Sequence, residues 1–273
     1  AGRPLFSIVI PVYNAAETLP ECLASIYAST FADFEVIVVD DASSDGSAAV
    51  ARSSPAALVS LPVNQGPSLA RNAGAERARG RFLLFTDADC LFEKDLLDRA
   101  RRRIEEEGAA LFGGTYDPRS AEGNFYGDFQ ALYDFYHETK DPCANYLAAH
   151  LLVIEMDLFR RVAGFHRGEF VGRDAGCEDL DLSYRLKRLG CRLSVYPELR
   201  VKHYFGFGLF ASLRNAAKKS YLWAQFLLAE KLLFSDAGVG STELKANAAL
   251  ALLLLFGAGA GPGAVTDGVP GSG

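Results

Sequence analysis

Residues 6–90 repeat one pattern, an almost wholly apolar run followed by a segment of helical periodicity, and no other feature restricts the fold as much. "FSIVIPV", "FEVIVVDDAS", "AALVSLPV" and "RFLLFTDADC" are short and rich in Val, Ile, Leu and Phe. Strands with apolar residues at every position are buried on both faces, which requires a parallel sheet with helices above and below. The intervening segments supply those helices. "AAETLPECLASIYAS" places Leu19, Cys22, Leu23 and Ile26 at helical spacing. "DGSAAVARSS" opens a helix that Asp45 or Ser47 is expected to cap, and "PSLARNAGAERARG" is expected to stop at Gly80. A further helix, "EKDLLDRARRRIEEEG", follows the fourth strand. Ligands of such sheets bind outside the carboxyl ends of the strands. Those ends read "PVYN", "VDDAS", "VNQG" and "TDAD", all polar.

The second half is less regular. "ALFGGTYDP" reads as a strand and turn, "NYLAAHLLVIEMDLFRRVAGF" as a strand and short helix, and "EDLDLSYRLKRLG" as an amphipathic helix ended by Gly190. "RLSVYPELRVKHYF" closes with strands. The aromatic residues of "NFYGDFQALYDFYHE" fall at helical spacing and are expected in the core, with a sugar or lipid platform as the alternative. The composition changes near Gly206 to Leu213, which divides the chain into a domain over 1–208 and an extension over 209–273.

With 273 residues, 49% of them hydrophobic, the chain can bury one large core. A net charge of −6 argues against nucleic acid as a partner. Cys22, Cys90, Cys143, Cys177 and Cys191 are odd in number and form no CxxC pair, and no secretory signal pattern precedes the first strand. The expected location is cytoplasmic.

"RFLLFTDADC" poses the central question, because a buried strand ends in two carboxylates one residue apart. Residues i and i+2 of a strand share a face, but past its end the backbone turns and both acids can reach one cation. One or two carboxylates plus substrate phosphates is a usual environment for Mg²⁺ or Mn²⁺. A solvated loop with a helix cap is the other reading, and the tripeptide Asp87-Ala88-Asp89 alone leaves both open.

Four linked pieces decide the context: "SIVIPVYN", "FEVIVVDDASSDGS", "NQGPSLARNAGAERARGRFLLFTDADC" and "GCEDLDLSYRLKRLG". In this order and spacing the sequence resembles the family 2 glycosyltransferases, the inverting group with the GT-A nucleotide-sugar fold, over about residues 5–205. The resemblance implies an α/β fold with a mostly parallel central sheet flanked by helices and a C-terminal helical extension. It implies a nucleotide-sugar donor, with UDP favoured, held by Pro11, Tyr13, Asn14, Glu17, Asp40, Asp41, Arg71, Asp87 and Ala88. Asp41 is expected to accept a hydrogen bond from the base or ribose, and Arg71 to face the diphosphate with its forked donors. Tyr13 as ordinary packing and Arg71 as a surface residue are the structural alternatives. The resemblance further implies Mn²⁺ or Mg²⁺ as cofactor, with Asp89, Asp87 and His203 as expected ligands. An imidazole suits Mn²⁺ better. The base that deprotonates the acceptor hydroxyl is expected at Asp179, with Glu178 competing and Asp181 supporting. Helix-start capping accounts for one such acid but not for three in four residues.

Departures from the family pattern also carry information. The loop "AGFHRGEFVGRDAG" is longer and more basic than usual, so the acceptor (a glycan, a lipid-linked sugar or a small molecule) is not carried over. No Q-x-x-R-W motif marks a processive synthase. After Gly208, Arg214, Lys218 and Lys219 lie among Tyr221, Trp223 and Phe226, which suits either a helix on a bilayer surface or one packed on the domain. "NAALALLLLFGAGAG" is shorter than the roughly 20 residues of a membrane span. Peripheral contact at the cytoplasmic face of a membrane is therefore one expectation. The rival readings are a polyprenyl-phosphate glycosyltransferase and a nucleotide-sugar-binding protein without catalysis. A nucleotidyltransferase would carry a Gly-rich basic loop, which "PVYNAAETL" lacks.

Overall fold

The computed structural model describes residues 2–140, 144, 146–166, 178–206, 208–212, 214, 215 and 217. In chain order its elements are β1 (Phe6–Val12), α1 (Leu19–Tyr27), β2 (Phe34–Asp40), α2 (Ser47–Arg52), β3 (Ala57–Ser60), α3 (Pro67–Arg77), β4 (Phe82–Thr86), β5 (Cys90–Phe92), α4 (Leu96–Glu107), β6 (Leu111–Tyr116), α5 (Phe125–Thr139), β7 (Leu151–Glu155), α6 (Met156–Arg161), α7 (Glu178–Arg188) and β8 (Val195–His203). Cys143, Cys177, most of the basic loop before α7 and nearly all of the expected extension, including Lys218 to Phe226 and Ala246 to Phe256, lie outside the described residues. Among the described residues no helix is long and apolar enough to cross a membrane.

The first half forms as its apolar runs require. β1 lies between β2 and β4, and β3 flanks β2, all parallel. Side chains of β1 divide between two cores. Phe6, Ile8, Ile10 and Val12 pack with Leu19, Leu23 and Ile26 of α1 and Leu96 of α4. Val9, with Ile37 and Phe85, faces Ala70 of α3, Phe159 of α6 and Leu182 of α7. Helices therefore cover both faces, as fully apolar strands demand. Two details differ from expectation. α3 ends at Arg77, and Gly80 instead lies against β1, where a Cβ would come within 2.5 Å of the Ser7 backbone nitrogen. At α2 the N-cap position is Gly46 and no side chain caps the helix; Asp45, one residue earlier, accepts from the Ser47 N–H at 2.9 Å in a turn, while the Ser47 hydroxyl accepts from the Ala15 N–H.

The fourth apolar run is two strands, not one. β4 stops at Thr86, residues 87–89 turn, and β5 begins at Cys90. The strand order β3-β2-β1-β4-β7-β6-β8-β5 puts four strand spacings between β4 and β5, about 19 Å in a flat sheet. The chain from Thr86 to Cys90 spans at most about 15 Å. The sheet must therefore curl, folding β7, β6, β8 and β5 back over the carboxyl end of β4. β7 is antiparallel to β4 and β6, and β5 to β8, whereas β6 and β8 are parallel with a register shift between Gly113 and Thr115. Gly114 sits at that shift. A Cβ there would lie 2.4 Å from the Leu199 carbonyl oxygen of β8 and 2.2 Å from Leu151 Cδ2 of β7. Glycine in a strand often marks such a close approach of backbone.

α5 corrects a further expectation. Its aromatic residues are not core: Phe125 is 76% exposed, Phe129 60% and Tyr136 56%, while only Gly127 and Ala131 are buried. The periodicity was that of an amphipathic helix, and the apolar stripe faces outward.

Gly114→Ala should lower the urea midpoint, with a stability loss of about 1–3 kcal/mol or more from overpacking. A midpoint equal to wild type would remove Gly114 as a requirement of the curl.

Candidate active site

The curl brings the two ends of the site together. β5 and β8 pair Cys90 with His203, and the Tyr204 N–H donates to the Asp89 carbonyl at 3.0 Å. The turn closes through the Cys90 N–H on the Asp87 carbonyl at 3.2 Å. This backbone ladder sets His203 Nε2 3.2 Å from Asp89 Oδ1, within ion-pair distance though without hydrogen-bond alignment. Asp89 Oδ1 and His203 Nδ1 are both buried without a hydrogen-bond partner, and buried polar atoms rarely remain so. Burial opposes a charge on His203, but Asp89 and then Asp87 outweigh it and raise its pKa. Among the described residues Asp89, Cys90 and His203 form the group whose ligand atoms are near enough to share an ion. The Cys90 thiol is pushed well up by burial and by Asp89 and Asp87, and Cys22, whose Sγ lies 3.6 Å from the Asp87 carbonyl, is pushed up likewise. A protonated sulfur is a poor ligand for Mn²⁺ or Mg²⁺. The carboxylate and imidazole fit Mn²⁺, and the orphaned Asp89 oxygen is the atom that such an ion would satisfy.

Arg71 lies behind this turn on α3. It is buried, with Nη2 donating to Asp87 Oδ1 at 2.7 Å and Nη1 to Glu178 Oε1 at 3.2 Å. Its guanidinium carbon stands 5.5 Å from the centre of the Phe165 ring. Burial penalises this cation, but Asp87, Asp179 and Glu178 more than compensate and raise its pKa. The expected diphosphate ligand is thus a buried bridge between the turn and the start of α7. The three acids of α7 have separate partners. Glu178 takes Arg71, and Asp181 binds Arg185 one turn on at 2.7 Å. Asp179 Oδ2 accepts from the Ala149 N–H at 3.1 Å, and its Oδ1 is buried without a hydrogen bond. Burial and the charge of Glu178 raise its pKa to about 7, against the pull of Arg71 and the Ala149 N–H.

The residues expected to hold the nucleotide lie at the ends of β1 and β2, where Val12 pairs with Asp40. Asp41 is buried, its oxygens accepting from the Gln65 and Gly66 N–H groups at 2.8 and 2.7 Å, so it secures the "NQG" loop. Asp40 accepts from the Ser43 N–H at 3.1 Å through Oδ1. Tyr13 is 55% exposed, and Asn14 and Glu17 are exposed beside it. Asn14 joins the two loops, its Oδ1 accepting from the Ser44 N–H at 2.8 Å. Asn14 and Ala42 both have positive φ, 51° and 60°. That conformation is uncommon for alanine, and such strain gathers at functional sites. Pro11 is half-buried and Ala88 buried beneath this edge.

Asn72 escaped the sequence reading. Its side-chain amide donates to the Phe165 carbonyl at 2.7 Å and accepts from the Phe165 N–H at 2.9 Å, beside Gly164 at φ 67°. It fixes the base of the loop leading to α7. The pair "RN" within "LARNAG" is the only signal it leaves in the chain.

A curled α/β sheet with an acidic turn at its edge is the GT-A nucleotide-sugar fold. The mannosyltransferase PcManGT of Pyrobaculum calidifontis, in complex with GDP-Man and Mn²⁺, matches with a TM-score of 0.60 and 22% identity, covering 94% of this chain and 81% of that one. S. aureus TarS 1–349 in complex with UDP-GlcNAc matches with a TM-score of 0.55 and 23% identity, covering 72% and 57%. The chain belongs to glycosyl transferase family 2, whose sequence profile matches residues 7–162. It is 36% identical over 121 residues to glycosyltransferase AglE of Haloferax volcanii, covering 42% of this chain and 40% of the relative. A PGL/p-HBAD biosynthesis glycosyltransferase of Mycobacterium bovis is 37% identical over 135 residues, covering 47% and 53%. The chain thus spans about half the length of these curated relatives.

Removing one partner of a buried ion pair leaves an uncompensated charge and costs about 3–5 kcal/mol. Arg71→Met should destabilise the protein by that order, read by urea denaturation. A loss below about 1 kcal/mol would mean that Arg71 does not hold Asp87 to Glu178.

Proposed function

We propose that the chain is a metal-dependent inverting glycosyltransferase that moves a sugar from a nucleoside diphosphate to an acceptor hydroxyl, with Asp179 as the base. One observation carries this reading: Asp179 is buried beside the ion pairs that Arg71 makes with Asp87 and Glu178, and burial with the charge of Glu178 raises its pKa to about 7. A base is most effective when its pKa lies near the working pH. Asp179 takes the proton of the acceptor hydroxyl as that oxygen bonds the anomeric carbon. The bond to the diphosphate oxygen breaks in the same displacement, its electron pair leaves with the nucleotide, and the anomeric configuration inverts. Asp89 and His203, with Asp87 adjacent, would hold the metal. When bound, it supplies positive charge opposite the leaving diphosphate.

The donor side has Tyr13 to face the base and Asp40 to accept from base or ribose, while Asp41 keeps the loop in place. We favour a UDP-sugar, in keeping with the ligand of TarS, and the GDP-Man of PcManGT defines the competing choice. Arg71 acts as a positioning residue in this reading, fixing Asp87 and Glu178 rather than touching phosphate. The location of the chain is read as cytoplasmic, with the cytoplasmic face of a membrane as the variant, from five cysteines without a CxxC pair.

Calorimetry with UDP, GDP and TDP, each with Mn²⁺ and with EDTA, tests the donor and the metal together. Binding of one nucleotide that disappears with EDTA is the expected result. No binding of any of the three by folded protein would overturn the reading.

Asp179→Asn should retain nucleotide binding and lose turnover by about a thousandfold or more, within the range seen when a catalytic group is removed. Retained turnover would move the base to Glu178. The wild-type rate should rise with pH through about 7 and then level, because only the carboxylate accepts the proton. The stability effect has the opposite sign. A carboxyl whose folded pKa is raised contributes stability below its unfolded value of about 3.9 and loses it as pH rises toward 7. Asp179→Asn should therefore gain on wild type in thermal stability between pH 4 and 7, the difference levelling above that.

A further inference from the structure

Every exposed side chain of α5 is apolar or aromatic: Phe125, Phe129, Leu132, Tyr133 and Tyr136. Their spacing places them on one face of the helix. The helix's acids are engaged elsewhere. Asp128 accepts from the Ser120 N–H and hydroxyl at 2.8 Å, Asp134 from the Gln130 amide at 3.0 Å, and Glu138 from the Thr115 hydroxyl at 2.7 Å. A helix on a protein surface in water normally shows the reverse arrangement.

A second apolar element adjoins the first. The Gly206 N–H donates to Glu122 Oε1 at 2.6 Å, which ties the chain after β8 to the start of α5. Immediately beyond lie Leu209 and Phe210, the latter 80% exposed. Cations border the patch. The Lys140 ammonium is 5.7 Å from the centre of the Tyr136 ring, and exposed Arg214 follows Phe210 by four residues. No exposed residue of α5 is acidic, although the chain as a whole carries −6. Contiguous exposed apolar surface marks a contact site. Exposed Phe, Tyr and Leu with Lys140 against the Tyr136 ring and Arg214 one helical turn beyond Phe210 match the interface of a bilayer with anionic headgroups.

We propose that the outer face of α5, continued by Leu209 and Phe210, is a membrane-contact surface that lays the enzyme on an anionic bilayer. The Ala121 N–H donates to the His203 carbonyl at 2.9 Å, so the segment entering α5 hangs from the strand that carries His203. Contact through α5 brings the catalytic edge near the lipid surface, and the acceptor class that follows is a lipid or lipid-linked glycan. That substrate class rests on the transferase reading, whereas the bilayer contact does not.

The test is co-sedimentation of the full chain with vesicles of phosphatidylcholine, alone or mixed with phosphatidylglycerol. Nucleotide calorimetry and thermal melting on the same preparations report folding and the donor site separately. Wild type should bind the mixed vesicles more tightly. The triple variant Phe125→Ser, Phe129→Ser, Tyr136→Ser should lower the partition coefficient by about tenfold or more, with melting and nucleotide response unchanged. The single variant Phe129→Ser should fall between them. Lys140→Gln should weaken binding to the mixed vesicles alone. Equal binding by the triple variant would place the contact elsewhere in the chain and overturn the proposal. So would failure of wild type to bind, whether or not the triple variant changes the oligomeric state. A nucleotide response without vesicle binding would sink the surface while leaving the transferase reading intact.

Discussion

The buried guanidinium of Arg71 is the interaction on which the site depends. It is a fixed charge buried in the protein, tolerable only because Asp87 and Glu178 accept from it on two sides. Asp87 belongs to the turn after β4 and Glu178 begins α7, so one side chain sets the spacing between that turn and the start of α7. The same charge acts on Asp179 next door, offsetting part of what burial and Glu178 do to it. Positioning and acidity are thus coupled through a single residue. Lysine, a point charge without the planar fork, would not serve both carboxylates in this geometry.

The sheet's curl supplies the other half of the site. Without it, the short link between β4 and β5 does not reach, and His203 would stand strands away from Asp89. The sequence made the first four helices and the parallel half of the sheet readable because fully apolar runs have one stable environment. It hid the break in the fourth run, since Cys90, Leu91 and Phe92 continue the apolar pattern across a turn. The pair Gly113-Gly114 marks where β6 meets its neighbours closely, but glycine next to a strand end reads equally well as a turn.

The acidic residues at the strand ends could be picked out from the sequence, but not the contacts that each of them makes. Asp40 and Asp41 are chemically equal in the chain. Only the path of the "NQG" loop turns Asp41 inward onto two backbone amides. Arg71 read as a phosphate ligand because a guanidinium suits phosphate as well as carboxylate. The bonds between Asn72 and Phe165 join residues 93 apart in sequence, and the pair "RN" on α3 says nothing of that partner. The stripe of α5 failed for a different reason: helical periodicity reports that one face differs from the other, not which of them meets the protein.

The buried thiols beside the acidic turn have a consequence for durability. Burial first, and then the negative charge of Asp89 and Asp87, discourages loss of the proton from Cys90 and Cys22. Oxidants and alkylating agents attack the thiolate, so these sulfurs are poor targets. Burial beside an acidic turn thereby keeps these cysteines chemically quiet.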